Sequence, residues 1–414
     1  MTFEELYQRL VTASAADSLE AEVEKIRAQE YDYHHLDCLL HPEKHPPVWR
    51  LSDCNCSPES MDTCAAGCPF GAIAPGGQGI QIDPAQCVGC SACIDQCKSK
   101  KLTASRDILS AINLIHTTKG PVYALIAPAF IGQFSPEVTP GKLRTAFKKI
   151  GFDGMIEVAA FADILTLKEA LEFDKNIQSE SDYQLTSCCC PMWIAMIRKI
   201  YNEMMPHVPG AVSPMVACGR TVKQLHPDAA TVFIGPCIAK KAEAREADLA
   251  GAIDCVLTFQ EVQDLFDAMD IQPAELEESN RDHSSRAGRI YARTGGVSEA
   301  VQSTLERISP NRTIGIRTRQ ANGVAACKAM IAELHQGKGD ANFFEGMGCV
   351  GGCVGGPKAI IKAEEGARNV NAYGDEAAYP TPIDNPYVVE LLHRLGFDDV
   401  ESLLENSQIF TRKF

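Results

Sequence analysis

The sequence predicts an α/β chain in which a large layered portion, residues 103–414, follows a small cysteine-rich α+β unit at 51–102 and a mainly helical stretch at 1–50. Three observations predict it. After Thr103, short apolar strands alternate with helical periodicity. The 51–102 block is rich in Cys, Gly, Pro and Asp and poor in long apolar runs, so metal rather than a hydrophobic core must organise it. With 45% hydrophobic and 22% charged residues over 414 positions, the chain is globular and large enough for two or three buried cores.

Residues 1–50 mix amphipathic helical stretches with His34, His35, His41 and His45 before the Pro46-Pro47 break. Their spacing matches no standard metal site, and they are assigned no role. The N-terminus lacks a basic region followed by an apolar one, so no signal peptide is expected, and no apolar run reaches membrane-spanning length. A formal net charge of -15 argues against nucleic-acid and anionic-membrane partners, which are bound through clustered Lys and Arg. A cytoplasmic location is expected. In that reducing compartment the 18 cysteines read as metal ligands and reactive thiols rather than disulfides.

In the second block, Cys87, Cys90, Cys93 and Cys97 have the spacing C-x2-C-x2-C-x3-C, in which three thiolates wrap one cubane and the fourth reaches a second. Upstream, Cys54, Cys56, Cys64 and Cys68-Pro69 form a divergent partner motif. The expected crossing gives Cys54, Cys56, Cys64 and Cys97 to one 4Fe-4S cluster and Cys68, Cys87, Cys90 and Cys93 to another, as in a ferredoxin-like domain. Four-cysteine sets also make zinc sites, but the x2-x2-x3 run suits cubanes better. The C-x-C spacing leaves open which of Cys54 and Cys56 ligates. Lys98, Lys100, Lys101 and Arg106 follow, either a docking patch for an acidic electron carrier or a solvated face.

The third portion is read strand by strand. Val122–Ile126 precedes Ala127-Pro128, and Met155–Val158 precedes a helix near Leu165–Phe173. Thr231–Ile234 precedes Gly235-Pro236, and Cys255–Thr258 precedes a helix over Glu261–Met269. A helix at Val324–His335 precedes Ala341–Phe344. In open α/β sheets, sites gather in the loops after strands, and three further cysteine motifs lie at such positions. They are Thr186-Ser187-Cys188-Cys189-Cys190-Pro191, then Gly235-Pro236-Cys237 through Lys240-Lys241-Ala242-Glu243, then Glu345-Gly346-Met347-Gly348-Cys349 through Gly352-Cys353. Four thiolates from three loops can hold one cubane, and the glycines let backbone approach a bulky inorganic group. Cys38, Cys218, Cys255 and Cys327 fit no ligand spacing and read as small buried hydrophobes.

These loops, in this order, resemble the signature loops of the FeFe-hydrogenases: Thr-Ser-Cys-Cys-Pro-x-Trp with Trp193 in place, Pro-Cys-x-x-Lys-Lys-x-Glu, and Glu-x-Met-x-Cys-x-Gly-Gly-Cys. The resemblance runs from about Leu51 to Gly356. It takes in Ala127-Pro128-Ala129, Phe161 through Phe173, and Thr294-Gly295-Gly296-Val297. It implies an α/β H-cluster domain of two lobes with mixed sheets flanked by helices. It also implies an H-cluster, a 4Fe-4S cubane joined through one cysteine sulfur to a di-iron unit carrying carbonyl, cyanide and azadithiolate. By position, Cys190, Cys237, Cys349 and Cys353 would hold the cubane, with Cys353 as the bridge. Cys189 would exchange protons with the bridgehead amine and Lys240 would donate to a cyanide. Met347 would pack against the di-iron unit, and Pro128 and Ala129 would line its pocket. Glu169 and Glu172 match the two glutamates of the family's proton path.

The resemblance implies a ferredoxin hydrogenase catalysing the reversible reduction of protons to H2. Its partners would be ferredoxin or a similar low-potential carrier, and maturation proteins for the di-iron unit. The rival readings are an H2-sensing protein of low turnover and an iron-sulfur scaffold or assembly protein. The chain departs from the common pattern at four positions. Cys188 is an extra thiol before the Cys-Pro pair, Gly235 replaces Met, and Gly348 replaces Ala. Pro209 falls where the usual proton path has a serine, so that path must be rerouted or bridged by water.

Overall fold

The computed structural model describes all residues except Asn55, Ser187, Cys188, Asn280, Asp282 and Lys338. The chain opens with helices α1 (Phe3–Ala15), α2 (Leu19–Arg27) and α3 (Tyr33–Leu40) and strand β1 (Val48–Arg50). The cysteine block carries α4 (Pro58–Ala66), the hairpin β2 (Ile73–Gly76) and β3 (Gly79–Ile82), α5 (Ala92–Gln96) and β4 (Leu102–Ala104). Then follow α6 (Ile108–Thr117), β5 (Val122–Ile126), α7 (Pro140–Ile150), β6 (Gly154–Glu157), α8 (Ala159–Asn176), β7 (Gln184–Leu185), α9 (Pro191–Ile200), α10 (Pro214–Leu225), β8 (Ala230–Gly235), α11 (Ala239–Ala244), β9 (Cys255–Thr258) and α12 (Phe259–Ala268). The last third adds α13 (Arg286–Arg289), α14 (Gly296–Ile308), β10 (Thr318–Asn322), α15 (Val324–His335), β11 (Phe343–Met347), α16 (Ala363–Asp375) and α17 (Pro386–Arg394).

The strands of the third portion form two sheets, one in the order β6-β5-β8-β9 and one in the order β10-β11-β7. Pairing is parallel throughout both. The ribbons β1–β4 and β2–β3 are antiparallel, so the expected mixture lies between sheets rather than within one. Parallel sheets are covered on both faces, and β5 and β8 accordingly read as near-continuous apolar runs. Helix α8 is buried almost all round, which its Ala- and Leu-rich sequence permits.

Two features depart from the expected segmentation. The 1–50 stretch is not separate, because Phe3, Leu6, Tyr7 and Leu10 of α1 enter the same core as the strands β5, β8 and β9. Moreover, β1 and β4 pair Val48 with Ala104 and Arg50 with Leu102, closing the base of the cysteine block across both expected boundaries. Arg106 does not join the lysines of a docking patch. It bonds Glu4 at 2.9 Å and lies over the rings of Phe3 and Tyr7, clamping α1. Lys98 and Lys100 remain exposed. Cys38, Cys218, Cys255 and Cys327 are all buried. Among the described residues, no helix is long and apolar enough to cross a membrane.

Candidate metal centre

The carboxyl ends of the two parallel sheets face a common cavity, and the loops after β5, β7, β8 and β11 supply its walls. Pro128 comes from the first, Cys189 and Cys190 from the second, Cys237 and Lys240 from the third, and Met347, Cys349 and Cys353 from the end of β11 and its loop. Pro191 opens α9 directly after Cys190, so the helix N-terminus adjoins that thiol, and the Gly348 N–H donates to Cys190 Sγ at 3.3 Å. Burial pushes the Cys237 thiol up to about 11 and that of Cys353 to about 12, and Cys349 stands well above its ordinary value. The neighbouring thiols, Cys190 among them, add to each rise. Cys237, Cys349 and Cys353 are therefore costly to ionise as bare thiols, and are held as thiolates cheaply when cations replace their protons.

Packing explains much of the local sequence. A Cβ on Gly346 would lie 2.0 Å from the ring of Trp193, a fully buried side chain whose indole donates to Thr186 O at 3.3 Å. Glycine at 346 therefore lets Trp193 lie on β11 and pin the loop that carries the cysteine triplet. Gly352 has φ +91°, and a Cβ there would meet Thr294 N at 2.7 Å. Gly235, where the common pattern has Met, leaves room filled by Phe233, whose ring lies 2.9 Å from the missing Cβ and lines the cavity. Met192 likewise stands 2.5 Å from the Cβ that Gly348 lacks.

The charged groups are arranged by the same loops. Lys240 pairs with Glu243 at 2.6 Å. Burial opposes its charge, but Glu243 and the Cys237 and Cys353 sulfurs more than offset this, and its pKa is raised. Lys241, fully buried, bonds Ser105 O at 2.8 Å, and Asp107 and Glu261 at 3.0 Å, tying the second loop to the segment before α6 and to the start of α12. Glu345 accepts from Gly295 N at 2.7 Å and from Ser298 N and Oγ at 2.8 Å, fastening the Thr294–Val297 turn against β11. Neither Lys241 nor Glu345 carries a local sequence signal of these tasks, because both act through tertiary partners.

Among the expected proton carriers, Cys189 lines the cavity, and burial raises its pKa well above the ordinary value, with Cys190 and then Glu169 adding to the rise. Glu169 is buried on α8 within electrostatic reach of Cys189. Glu172, one turn on, is held by Lys168 at 2.9 Å. Ala129 does not line the cavity. The 3-10 turn Pro128–Phe130 directs it into the core, and Ala127 takes the wall instead. Tyr291 is a lining residue with no signal in the sequence beyond its place three residues before Thr294. Cys188 lies outside the described residues.

In the cysteine block, Cys68, Cys87, Cys90 and Cys93 line one small cavity with Phe70, Ile73 and Ile82. Burial pushes Cys90 up to about 11 and Cys93 to about 12. Cys64 is raised by burial, then by Cys97, Cys56 and Cys54, so those four thiols are neighbours as the crossing requires. Among the described residues, no three Cys, His, Asp or Glu side chains converge closely enough to hold a single ion. Cys349 feels the charge of Cys90, and a Cβ on Gly89 would lie 3.0 Å from Ile238 O, so the block packs directly on the second loop of the large cavity.

Residues 120–357 match the family model of the iron-only hydrogenase large subunit, C-terminal domain. The chain belongs to that family. Iron hydrogenase 1 of Clostridium pasteurianum is 30% identical over 275 residues, which cover 57% of this chain and 48% of that protein, so the chain spans about half the length of this hydrogenase relative. Cytosolic iron-sulfur assembly component 3 of Bos taurus is 25% identical over 384 residues, 76% of this chain and 80% of that one. A solved structure of FeFe-hydrogenase HydA1 from Chlamydomonas reinhardtii has the same fold, with TM-score 0.59 at 22% identity, covering 73% of this chain and 98% of that one. The chain is thus similar both to relatives named for hydrogen chemistry and to relatives named for cluster assembly.

Proposed function

We propose that this chain is a ferredoxin hydrogenase that reversibly reduces protons to H2, with an H-cluster held by Cys190, Cys237, Cys349 and Cys353. Two 4Fe-4S clusters would be held by the cysteine block, in the crossed sets Cys54, Cys56, Cys64, Cys97 and Cys68, Cys87, Cys90, Cys93. The observation that carries this reading is that the cavity extends beyond the four thiols. Cys189, Lys240, Met347, Pro128 and Tyr291 line the same space, a wall that a cubane alone does not require. An assembly role is the second reading, favoured by the long similarity to the assembly component of Bos taurus.

The donor set fits the group: four thiols on one cavity, with a buried ammonium beside two of them. When bound, the H-cluster supplies the iron chemistry of splitting or forming H2 heterolytically. The chain's residues then have defined tasks. The Lys240 ammonium, anchored by Glu243, presents a charge-assisted donor to the cavity. Met347 and Phe233 keep water out. Cys189 exchanges the proton and passes it to Glu169. Electrons enter through the cysteine block, whose Cys90 side adjoins Cys349, from ferredoxin or a similar low-potential carrier, in the cytoplasm. Maturation proteins would deliver the di-iron unit.

The test is hydrogen evolution from a reduced dye by matured protein. Turnover in the parent chain, with collapse in Cys189→Ala at unchanged iron content, is expected. No turnover in any fully loaded preparation would favour the assembly reading, and collapse in Cys188→Ala alone would move the proton carrier to that thiol.

A further inference from the structure

Helix α8 carries a run of polar side chains along one ridge, at Asp163, Thr166, Glu169 and Glu172. Successive members stand three residues apart, with Cβ atoms roughly 5–6 Å from one another. Asp163 and Thr166 are fully buried. Such groups are costly to bury without a task or a partner. Glu172, at one end, is committed to Lys168, which also donates to Leu403 O at 2.9 Å. The other end leads elsewhere.

Tyr291 lines the large cavity, and its hydroxyl meets that of Thr166 at 2.8 Å. The Thr166 hydroxyl also reaches Ala162 O at 2.8 Å, so when its one proton goes to that carbonyl it accepts from Tyr291. Burial raises the Tyr291 pKa well above its ordinary value, with Glu169, then Cys189 and Asp163, adding to the rise against the Thr166 hydrogen bond. Asp163 accepts from Ser285 Oγ at 2.5 Å, Ser285 N at 2.6 Å and Gly288 N at 2.8 Å. Against these donors, burial still pushes its carboxyl up to about 7, near the value that suits a group both taking and releasing protons. Two residues before Ser285, the exposed His283 lines a surface cavity of ≈ 290 Å³ together with Tyr387 and Glu390. Ala160, the next member of the α8 ridge beyond Asp163, lines that same cavity.

We propose a second proton route along α8, from Glu169 through the hydroxyls of Tyr291 and Thr166 to Asp163 and Ser285, opening at the His283 cavity. It rests on the hydrogenase reading. The Glu169 carboxyl gives its proton to the Tyr291 oxygen as Tyr291 gives its own to Thr166. Thr166, its hydroxyl turned away from Ala162 O, passes its proton one helical turn back along α8 towards the Asp163 carboxylate, and the route requires a water to carry it across that gap. Asp163 gives its proton to Ser285 Oγ as that hydroxyl turns and releases its own to solvent water entering from the His283 cavity, and no electron moves. The ridge carries the proton roughly 14 Å along the helix axis from Glu169 to Ala160. Asp163, Thr166 and Tyr291 touch no iron in this scheme and act only as carriers.

The test uses Asp163→Asn, which keeps the size and the acceptor oxygen of the cap, and Tyr291→Phe, which loses one hydroxyl while Thr166 keeps Ala162. In the full chain loaded with its iron-sulfur clusters but not the di-iron unit, at pH 6, a protonated-carboxyl infrared band that shifts in heavy water is expected. It should vanish in Asp163→Asn. In the matured enzyme both variants should lower turnover about tenfold and enlarge the solvent isotope effect at equal iron content. A band unchanged in Asp163→Asn, or wild-type turnover and isotope effect in both variants, overturns the route. If Asp163→Asn fails to load iron, Tyr291→Phe decides. Absence of carbonyl and cyanide bands in the matured parent chain would instead refute the hydrogenase reading, and leaves the carboxyl band to report on Asp163.

Discussion

Replacing Glu243 by Gln separates the charge of Lys240 from its partner while preserving shape. The pair is formed at 2.6 Å with side chains only 9% and 2% exposed, so water cannot take over the lost interaction. Breaking a buried pair by removing one partner costs about 3–5 kcal/mol, and the Gln carbonyl, which still accepts from the ammonium, puts this case near 3. For 414 residues unfolding as one unit, the entropy of unfolding is roughly 0.9 kcal/mol/K, so the metal-free chain should melt about 3 °C lower. The cluster-loaded protein should lose less. Lys240 also feels Cys237 and Cys353, and once these are thiolates on a cluster they replace part of the missing charge. Thermal melting of both states, in parent and variant, reads the difference. Equal losses with and without iron would refute the argument that Lys240 faces the cluster's ligands.

Gly348→Ala should cost about 1–3 kcal/mol and lower iron uptake, because its Cβ would meet the Cβ, Cε and Sδ of Met192 at 2.5–2.8 Å, and Met192→Ala in the same chain should recover only part of the loss, since the 2.5 Å contact is with the Cβ that alanine retains. Asp163 makes stability depend on pH. Its carboxyl holds a proton in the folded chain up to about 7, whereas the unfolded chain releases it near its ordinary value. The contribution is therefore full below roughly pH 4, is lost as pH rises through about 7, and amounts to at most about 4 kcal/mol. Denaturation at pH 5 and pH 8 should show Asp163→Asn without that part of the slope. In the cysteine block, Cys97→Ala and Cys64→Ala should abolish the same paramagnetic cluster signal, and Cys93→Ala a different one. Loss of one common signal in all three would reject the crossing.

The strands of the larger portion were legible because each is a short apolar run bounded by turn residues, and β5, β9 and α15 fall where the periodicity puts them. The cysteine sets were legible because ligand spacing is local, and the thiols of each expected set do adjoin one another. What escaped depends on contacts between distant segments. Ala129 and Ala127 differ only in which way a 3-10 turn directs them. Arg106 reads as one more cation after three lysines until α1 arrives from 102 residues away to claim it. Glu345 and Lys241 fasten loops to partners far along the chain, and Tyr291 meets Thr166 from 125 residues away. The parallel pairing of both large sheets likewise follows from crossovers that a single strand's composition does not reveal.

The most direct test of the central claim is the infrared spectrum of the chain matured with the di-iron unit. Sharp bands of carbonyl and cyanide ligands, with the cyanide bands displaced in Lys240→Met, are predicted. A protein that carries its full iron-sulfur content and shows no such bands would contradict the account and leave an iron-sulfur protein of another kind.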